Sequence, residues 1–173
     1  AGSNKTLKSM NRRYTREQYL ELVEKIRKYV PDVALSSDFI VGFAGETEED
    51  FLETISLVEQ VKYASSFSFK YSPRPNTVGI KMPNQIDEEI KADRLDRLQA
   101  ILDQQQIDFN RSCINKTMEV LVENPSINND KLFFGRTPYL QAVMIESGKK
   151  LNNGNIVKVK ITNANLRTLN GVL

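Results

Sequence analysis

The 173-residue sequence predicts an α/β fold with a parallel sheet, followed by a small antiparallel β-barrel. Three observations predict it. Between Thr15 and Ser72 the pattern runs helix, strand, helix, strand, an alternation that implies parallel strands joined by crossover helices. After Lys116 it changes to short strands separated by turns rich in Asn, Gly, Pro and Ser. The charge also changes sign. Residues 1–112 hold 16 Lys and Arg against 18 Asp and Glu, whereas residues 113–173 hold 8 against 4. The chain therefore divides into modules 1–112 and 113–173, the second suited to face a polyanion.

Composition excludes several classes. With no histidine, the chain has no imidazole acid/base chemistry and few routes to a metal site. A single cysteine, Cys113, rules out an internal disulfide framework and points to a reducing, cytoplasmic compartment. No apolar run is long enough to span a bilayer, and no secretory pattern opens the sequence.

Ala1 to Arg13 is polar and basic, and shows no helix cap or strand run, as if cut from a longer chain. Thr15 to Gln18 (TREQ) forms a capping box. Tyr19, Leu22, Val23, Ile26 and Val30 follow at helical spacing until Pro31 ends the helix. Val33 to Val41 reads as a buried parallel strand. Gly42 and Gly45 permit a tight turn and close approach to a ligand at the strand's carboxyl end. Thr47 caps the next helix, with Asp50 as a weaker capping-box acid and Phe51, Ile55 and Val58 turned inward.

Ser66 to Ser72 alternates, with Phe67, Phe69 and Tyr71 on one face and serines and Lys70 on the other. If the aromatics pack under helices, the opposite face is polar and carries Asp38 on the first strand and Lys70 on the second. That pattern suits a partial barrel holding a polar ligand. A carboxylate within a buried strand needs a partner, so Asp38 faces either Lys70 in a purely structural pair or a ligand hydroxyl.

Ser72 to Pro83 contains three prolines and a glycine and breaks regular structure. Asp87 to Cys113 is a long amphipathic helix capped by Asp87, with Ile90, Leu95, Leu98, Leu102 and Phe109 as its core stripe. DQQQID within it reads as a solvated face. The strands that follow expose Lys131, Arg136, Lys149, Lys150, Lys158, Lys160 and Arg167 near Phe133, Phe134 and Tyr139. Basic residues interleaved with aromatics on a small barrel suit single-stranded or looped RNA; an ordinary solvated surface is the alternative.

LKSMNRRYT, SSDFIVGFAGET and FSFKYSPRPNT, in that order, resemble the second half of radical S-adenosylmethionine (SAM) methylthiotransferases. GRTPYLQAV resembles the TRAM domain that ends these proteins. The resemblance covers essentially the whole chain. It implies a partial radical SAM, TIM-like barrel followed by an OB-like TRAM barrel. It also implies SAM and two four-iron, four-sulfur clusters as cofactors, and the anticodon stem-loop of tRNA as partner. The activity implied is addition of a methylthio group to C2 of N6-isopentenyladenosine beside the anticodon.

Carried over residue by residue, the resemblance implies that Arg12 meets the SAM carboxylate, with Arg13 an alternative. Asp38 matches an acidic position suited to ribose hydroxyls or the methionyl ammonium. Gly42, Phe43 and Gly45 match the turn under the adenine, with Ala44 where the family usually has proline. Tyr71 and Ser72 match the strand end that meets adenine, and Gly2 and Ser3 the loop after the preceding strand. In the TRAM module Lys131, Arg136, Tyr139, Lys158 and Lys160 match an RNA-binding surface. The cluster motif CxxxCxxC is absent, so the chain reads as an inactive fragment, without a stable cluster, of an active parent. A truncated sheet edge makes self-association an expectation. The sister family that modifies a ribosomal-protein aspartate, and a non-catalytic RNA-binding module, are the alternatives.

Overall fold

A computed structural model describes residues 1–125 and 131–173. They form two units, Ala1–Gln105 and Gln106–Leu173. The first holds helices α1 (Asn4–Ser9), α2 (Arg16–Tyr29) and α3 (Glu48–Val61), strands β1 (Ser36–Val41) and β2 (Ser65–Lys70), and most of α4 (Glu88–Arg111). The second holds β3 (Thr117–Pro125), β4 (Leu132–Arg136), β5 (Ala142–Glu146), β6 (Ile156–Ala164) and β7 (Thr168–Val172).

Both capping boxes form. The Thr15 hydroxyl accepts the Gln18 N–H while the Gln18 side chain accepts the Thr15 N–H, and Thr47 and Asp50 do the same for α3. β1 and β2 run parallel in the register Ser36↔Ser65 to Val41↔Lys70. Phe39 and Val41 of β1, Phe51, Leu57, Val58 and Val61 of α3, and Leu98 and Leu102 of α4 build the core of this unit.

Three expectations are corrected. The basic N-terminal stretch is not without structure. Ser3 caps α1 by accepting the Thr6 N–H at 3.4 Å. A six-residue helix is too short to carry an apolar stripe or to stand alone. It is held from outside: Gly2 N–H donates to Thr54 Oγ1 at 2.8 Å, and Ser3 and Lys5 both reach the Asp50 carboxylate at 2.7 Å.

The strand faces are also reversed. Partners in a parallel register share a face, so Asp38 sits with Phe67 and Ile40 with Phe69, whereas Phe39 sits with Ser68 and Val41 with Lys70. The helices cover the Phe39–Val41 side. Phe67 is 70% exposed and Phe69 53%. Asp38 is itself exposed and has no burial cost to offset. Lys70 instead reaches Glu88 at the start of α4, 3.1 Å away. Alternation identifies two faces of a strand but not which one the helices take.

The glutamine run, finally, is not simply solvated. The Tyr63 N–H donates to Gln105 Oε1 and Gln105 Nε2 donates to Val58 O, each at 2.9 Å. This closes the end of α3, where Lys62 turns left-handed at φ 54°. In the other unit Gln106 donates to Leu166 O at 2.8 Å.

The second unit is a closed barrel in the order β3-β4-β5-β7-β6. All its pairings are antiparallel except β5–β7, which is parallel. Val120, Val122, Phe133, Val143, Ile145, Val159, Ile161 and Leu169 fill it. Cys113 is buried among them, 2% exposed. Among the described residues no helix is long and apolar enough to cross a membrane.

Candidate cofactor loop and candidate RNA-binding barrel

β1 ends in the loop Gly42 to Thr47. Gly42 and Gly45 take the left-handed backbone that the sequence anticipates, at φ 74° and 79°. A Cβ on Gly42 would stand 2.2 Å from Lys91 Cγ. The loop is fixed by a buried carboxylate: Gly42 N–H donates to Glu46 Oε1 at 2.8 Å, and Arg94 donates to the same oxygen at 3.0 Å and to Glu46 O at 3.1 Å. Burial raises the Glu46 carboxyl above its ordinary pKa, against the lowering effects of the Gly42 N–H and the Arg94 charge. Gly45 N–H donates to Asn84 O at 2.9 Å, tying the proline-rich connection to the loop.

Phe43 and Tyr71 meet with ring centroids 4.6 Å apart. Tyr71 N–H donates to Val41 O at 2.8 Å, extending the strand pairing by one step. Lys91, buried beneath, donates to Tyr71 O at 3.3 Å and pairs with Glu88. The structure thus brings Gly42, Phe43 and Tyr71 together at the carboxyl end of the sheet, with Gly45 in the same loop. Ser72 follows in the chain and is exposed. Asp38 lies on the open face and lines a small cavity, about 40 Å³, with Tyr14, Arg16, Tyr19 and Tyr63. Arg12 is exposed after α1, its N–H donating to Leu7 O at 2.9 Å.

Sequence reasoning read Asp50 only as a capping-box acid and missed both its partners in α1 and the role of Arg94 in bracing this loop. Asp50 accepts from Ser3, Lys5, and the Thr47 N–H and hydroxyl. Burial opposes its charged form, but these donors outweigh it and hold the carboxyl well below the usual carboxylate range. Glu46 lies in the recognised motif, but Arg94 is 48 residues away and no local pattern joins the two.

In the barrel, Arg136 pairs with Glu123 at 3.1 Å and donates to Leu140 O at 3.1 Å. Tyr139 packs edge-on against Phe109, with centroids 5.5 Å apart. Lys158 and Lys160 point outward from β6, opposite Glu119 and Thr117 of β3. Lys131 precedes β4 and lines a separate cavity at one end of the barrel. The proposed RNA residues thus fall in different places on the barrel.

The iron–sulfur clusters that the resemblance implies do not fit this chain's donors. Among the described residues no group of three or more His, Cys, Asp or Glu is placed to hold a metal, and the one cysteine is packed inside the barrel. Of the residues assigned to SAM, the Gly42 turn and the Phe43 and Tyr71 rings gather at the strand ends, whereas the exposed carboxylate of Asp38 lies apart, four residues before Gly42 on the open face of β1.

The Radical SAM superfamily model matches residues 1–58 and the TRAM domain model residues 111–173. The tRNA-2-methylthio-N(6)-dimethylallyladenosine synthase of Agrobacterium fabrum is 52% identical over 162 residues, covering 94% of this chain and 35% of the relative. The protein of the same name from Rickettsia bellii is 50% identical over 99% of this chain and 38% of its own length. That of Wolbachia pipientis wMel is 46% identical over 99% of this chain and 39% of its own. The chain thus spans between a third and two fifths of these relatives. It matches the Radical SAM superfamily at one end and the TRAM domain at the other, and shares about half of its positions with these synthases.

Proposed function

We propose that this chain is part of an enzyme that adds a methylthio group to C2 of N6-isopentenyladenosine beside the anticodon of tRNA. Residues 1–112 supply part of the radical SAM barrel and residues 113–173 the TRAM barrel that holds the RNA. The observation that carries the reading is the near-unbroken similarity to synthases of that name across both units. C2 of adenine is an unactivated aromatic carbon, and SAM with its cluster supplies the radical chemistry such a carbon requires. This chain's residues bind and orient. Asp38 and Arg12 offer opposite charges to the methionyl and ribose groups. The Gly42 turn, with Phe43, Tyr71 and Ser72, offers a flat edge to the adenine. Glu46 already uses the Gly42 N–H, so Gly42 shapes the turn rather than donating to the ligand. The work belongs in the cytoplasm, where tRNA is modified.

The test is binding of the chain to an anticodon stem-loop carrying isopentenyladenosine, across a salt series, beside a SAM titration of the wild type and Asp38→Asn. Salt-sensitive stem-loop binding, with a weak SAM affinity that the substitution abolishes, supports the reading. Stem-loop binding without any SAM affinity favours a non-catalytic RNA-binding module. No stem-loop binding at low salt favours the sister family with a protein substrate.

A further inference from the structure

We propose that Leu140, in the turn between β4 and β5, is the residue on which the barrel packs an unpaired base of its RNA. The inference rests on the RNA reading above and names one contact within it.

Leu140 holds a backbone conformation that leucine disfavours. Its φ is 63°, in the left-handed region, where a side chain crowds its own backbone. Among the described residues five other non-glycine residues have positive φ; four are asparagines, which tolerate it, and the fifth, Lys62, ends α3. Leu140 is therefore the apolar exception.

The turn imposes this conformation. Thr137 is buried, its N–H donates to Gln141 O at 3.1 Å, and its carbonyl accepts the Leu140 N–H at 2.9 Å. The Thr137 hydroxyl accepts the Tyr139 and Gln141 N–H groups at 3.2 and 3.3 Å and donates to Gln141 Oε1 at 3.0 Å. Gln141 in turn donates to Oδ1 of the buried Asn110 at 2.8 Å. The strained residue is thus fixed, yet its side chain is 74% exposed, so no burial within the chain offsets the strain. Glycine or asparagine would make the same turn with less strain and no bare apolar surface. The leucine side chain serves a contact outside the fold.

Its neighbour indicates which contact. Arg136 Nη1 donates to Leu140 O and Nε donates to Glu123, each at 3.1 Å, so the guanidinium is fixed beside the leucine while remaining half exposed. Its charge is already met by Glu123, and what it offers a ligand is its flat face. Unstacked RNA bases pack against guanidinium planes and neighbouring side chains. The centre of a protein–protein contact is depleted of charge, so an ion pair against the leucine favours a base over an apolar protein surface.

The test compares the full chain with Leu140→Gly and Leu140→Met. Each is titrated over a salt series with the anticodon stem-loop carrying isopentenyladenosine and with the same stem closed as a blunt duplex. The Gly variant is expected to unfold no lower than the wild type, because it relieves the left-handed strain. It should bind the stem-loop about tenfold more weakly, the loss expected for an uncovered leucine. Its slope of log K against log salt and its duplex binding should not change, since no phosphate contact is lost. The Met variant should stay near the wild type. If the wild type binds the stem-loop and the Gly variant binds it equally well, Leu140 makes no base contact and the RNA reading stands. A loss shared by stem-loop and duplex, or a lower salt slope, places the effect in backbone contacts and overturns the proposal. A lower Tm in the Gly variant shows that the leucine serves the fold, which also overturns it. If the Gly variant keeps RNA binding but shows a lower apparent mass by light scattering, the turn is a contact between copies of the chain. If the wild type does not bind the stem-loop, the RNA reading falls and this proposal with it.

Discussion

Glu46 closes its own turn by accepting the Gly42 N–H at 2.8 Å, and its carboxylate is then neutralised by Arg94 at 3.0 Å from a helix far along the chain. Both side chains are almost fully buried. Removing one partner of such a pair leaves a charge without solvent or counter-charge.

Arg94→Met is therefore expected to destabilise the chain by about 3–5 kcal/mol at pH 8. The loss should depend on pH. Burial already holds the Glu46 pKa above its ordinary value, and loss of Arg94 raises it further. A raised carboxyl favours folding while protonated, so that contribution is present below the unfolded-state pKa and is lost as pH rises through the folded-state value. Urea unfolding followed by far-UV circular dichroism should show the variant closer to wild type at pH 5 than at pH 8. An equal deficit at both would mean that Glu46 stays charged and finds another partner.

The two glycines of the loop separate steric from backbone strain. Both have positive φ, so alanine at either costs about 1–2 kcal/mol of left-handed strain. At Gly45 a new Cβ meets nothing within 4 Å, whereas at Gly42 it meets the buried stem of Lys91. Gly42→Ala should add about 1–3 kcal/mol of overpacking to that strain. It should also weaken the proposed SAM binding more than Gly45→Ala does, because Lys91 supports the Tyr71 carbonyl. Equal losses at the two positions would show that Lys91 yields freely.

What was legible in the sequence was local. Capping boxes join residues three apart, and Thr15–Gln18 and Thr47–Asp50 both form as read. Leu98 and Leu102 are one helical turn apart and both are buried. The glycine turn at a strand's carboxyl end was likewise readable. What escaped depends on long-range contacts. The fold of α1 rests on Asp50 and Thr54 of α3, and the burial of Glu46 rests on Arg94. The side taken by Phe67 depends on which strand face α3 and α4 cover, which alternation leaves open.

Asp50 should govern the acid limb of stability. Its carboxyl is held far below the usual range while its side chain is 8% exposed. A depressed carboxylate stabilises the fold above its unfolded-state pKa, and that stability is lost as pH falls through the folded-state value. Asp50→Ala should cost about 2–4 kcal/mol at pH 7, from a lost cap and lost charge-assisted hydrogen bonds. Asp50→Asn should lose part of that and flatten the fall in Tm between pH 5 and pH 2. A wild-type Tm that does not fall over that range would remove Asp50 from the account.

The open face of the two-stranded sheet carries the last prediction. Phe67 and Phe69 project from β2 beside Asp38 and Ile40 of β1, and no helix of this unit covers them. Covering a phenylalanine is worth about 1.5–3 kcal/mol, enough for two such rings to drive weak association. Light scattering over a concentration series should show the apparent mass rising with concentration. Phe67→Ser/Phe69→Ser should reduce that rise without lowering Tm, since neither ring belongs to the buried core. A constant monomer mass in the wild type would show that this face stays solvated. A rise unchanged in the double variant would place the contact elsewhere.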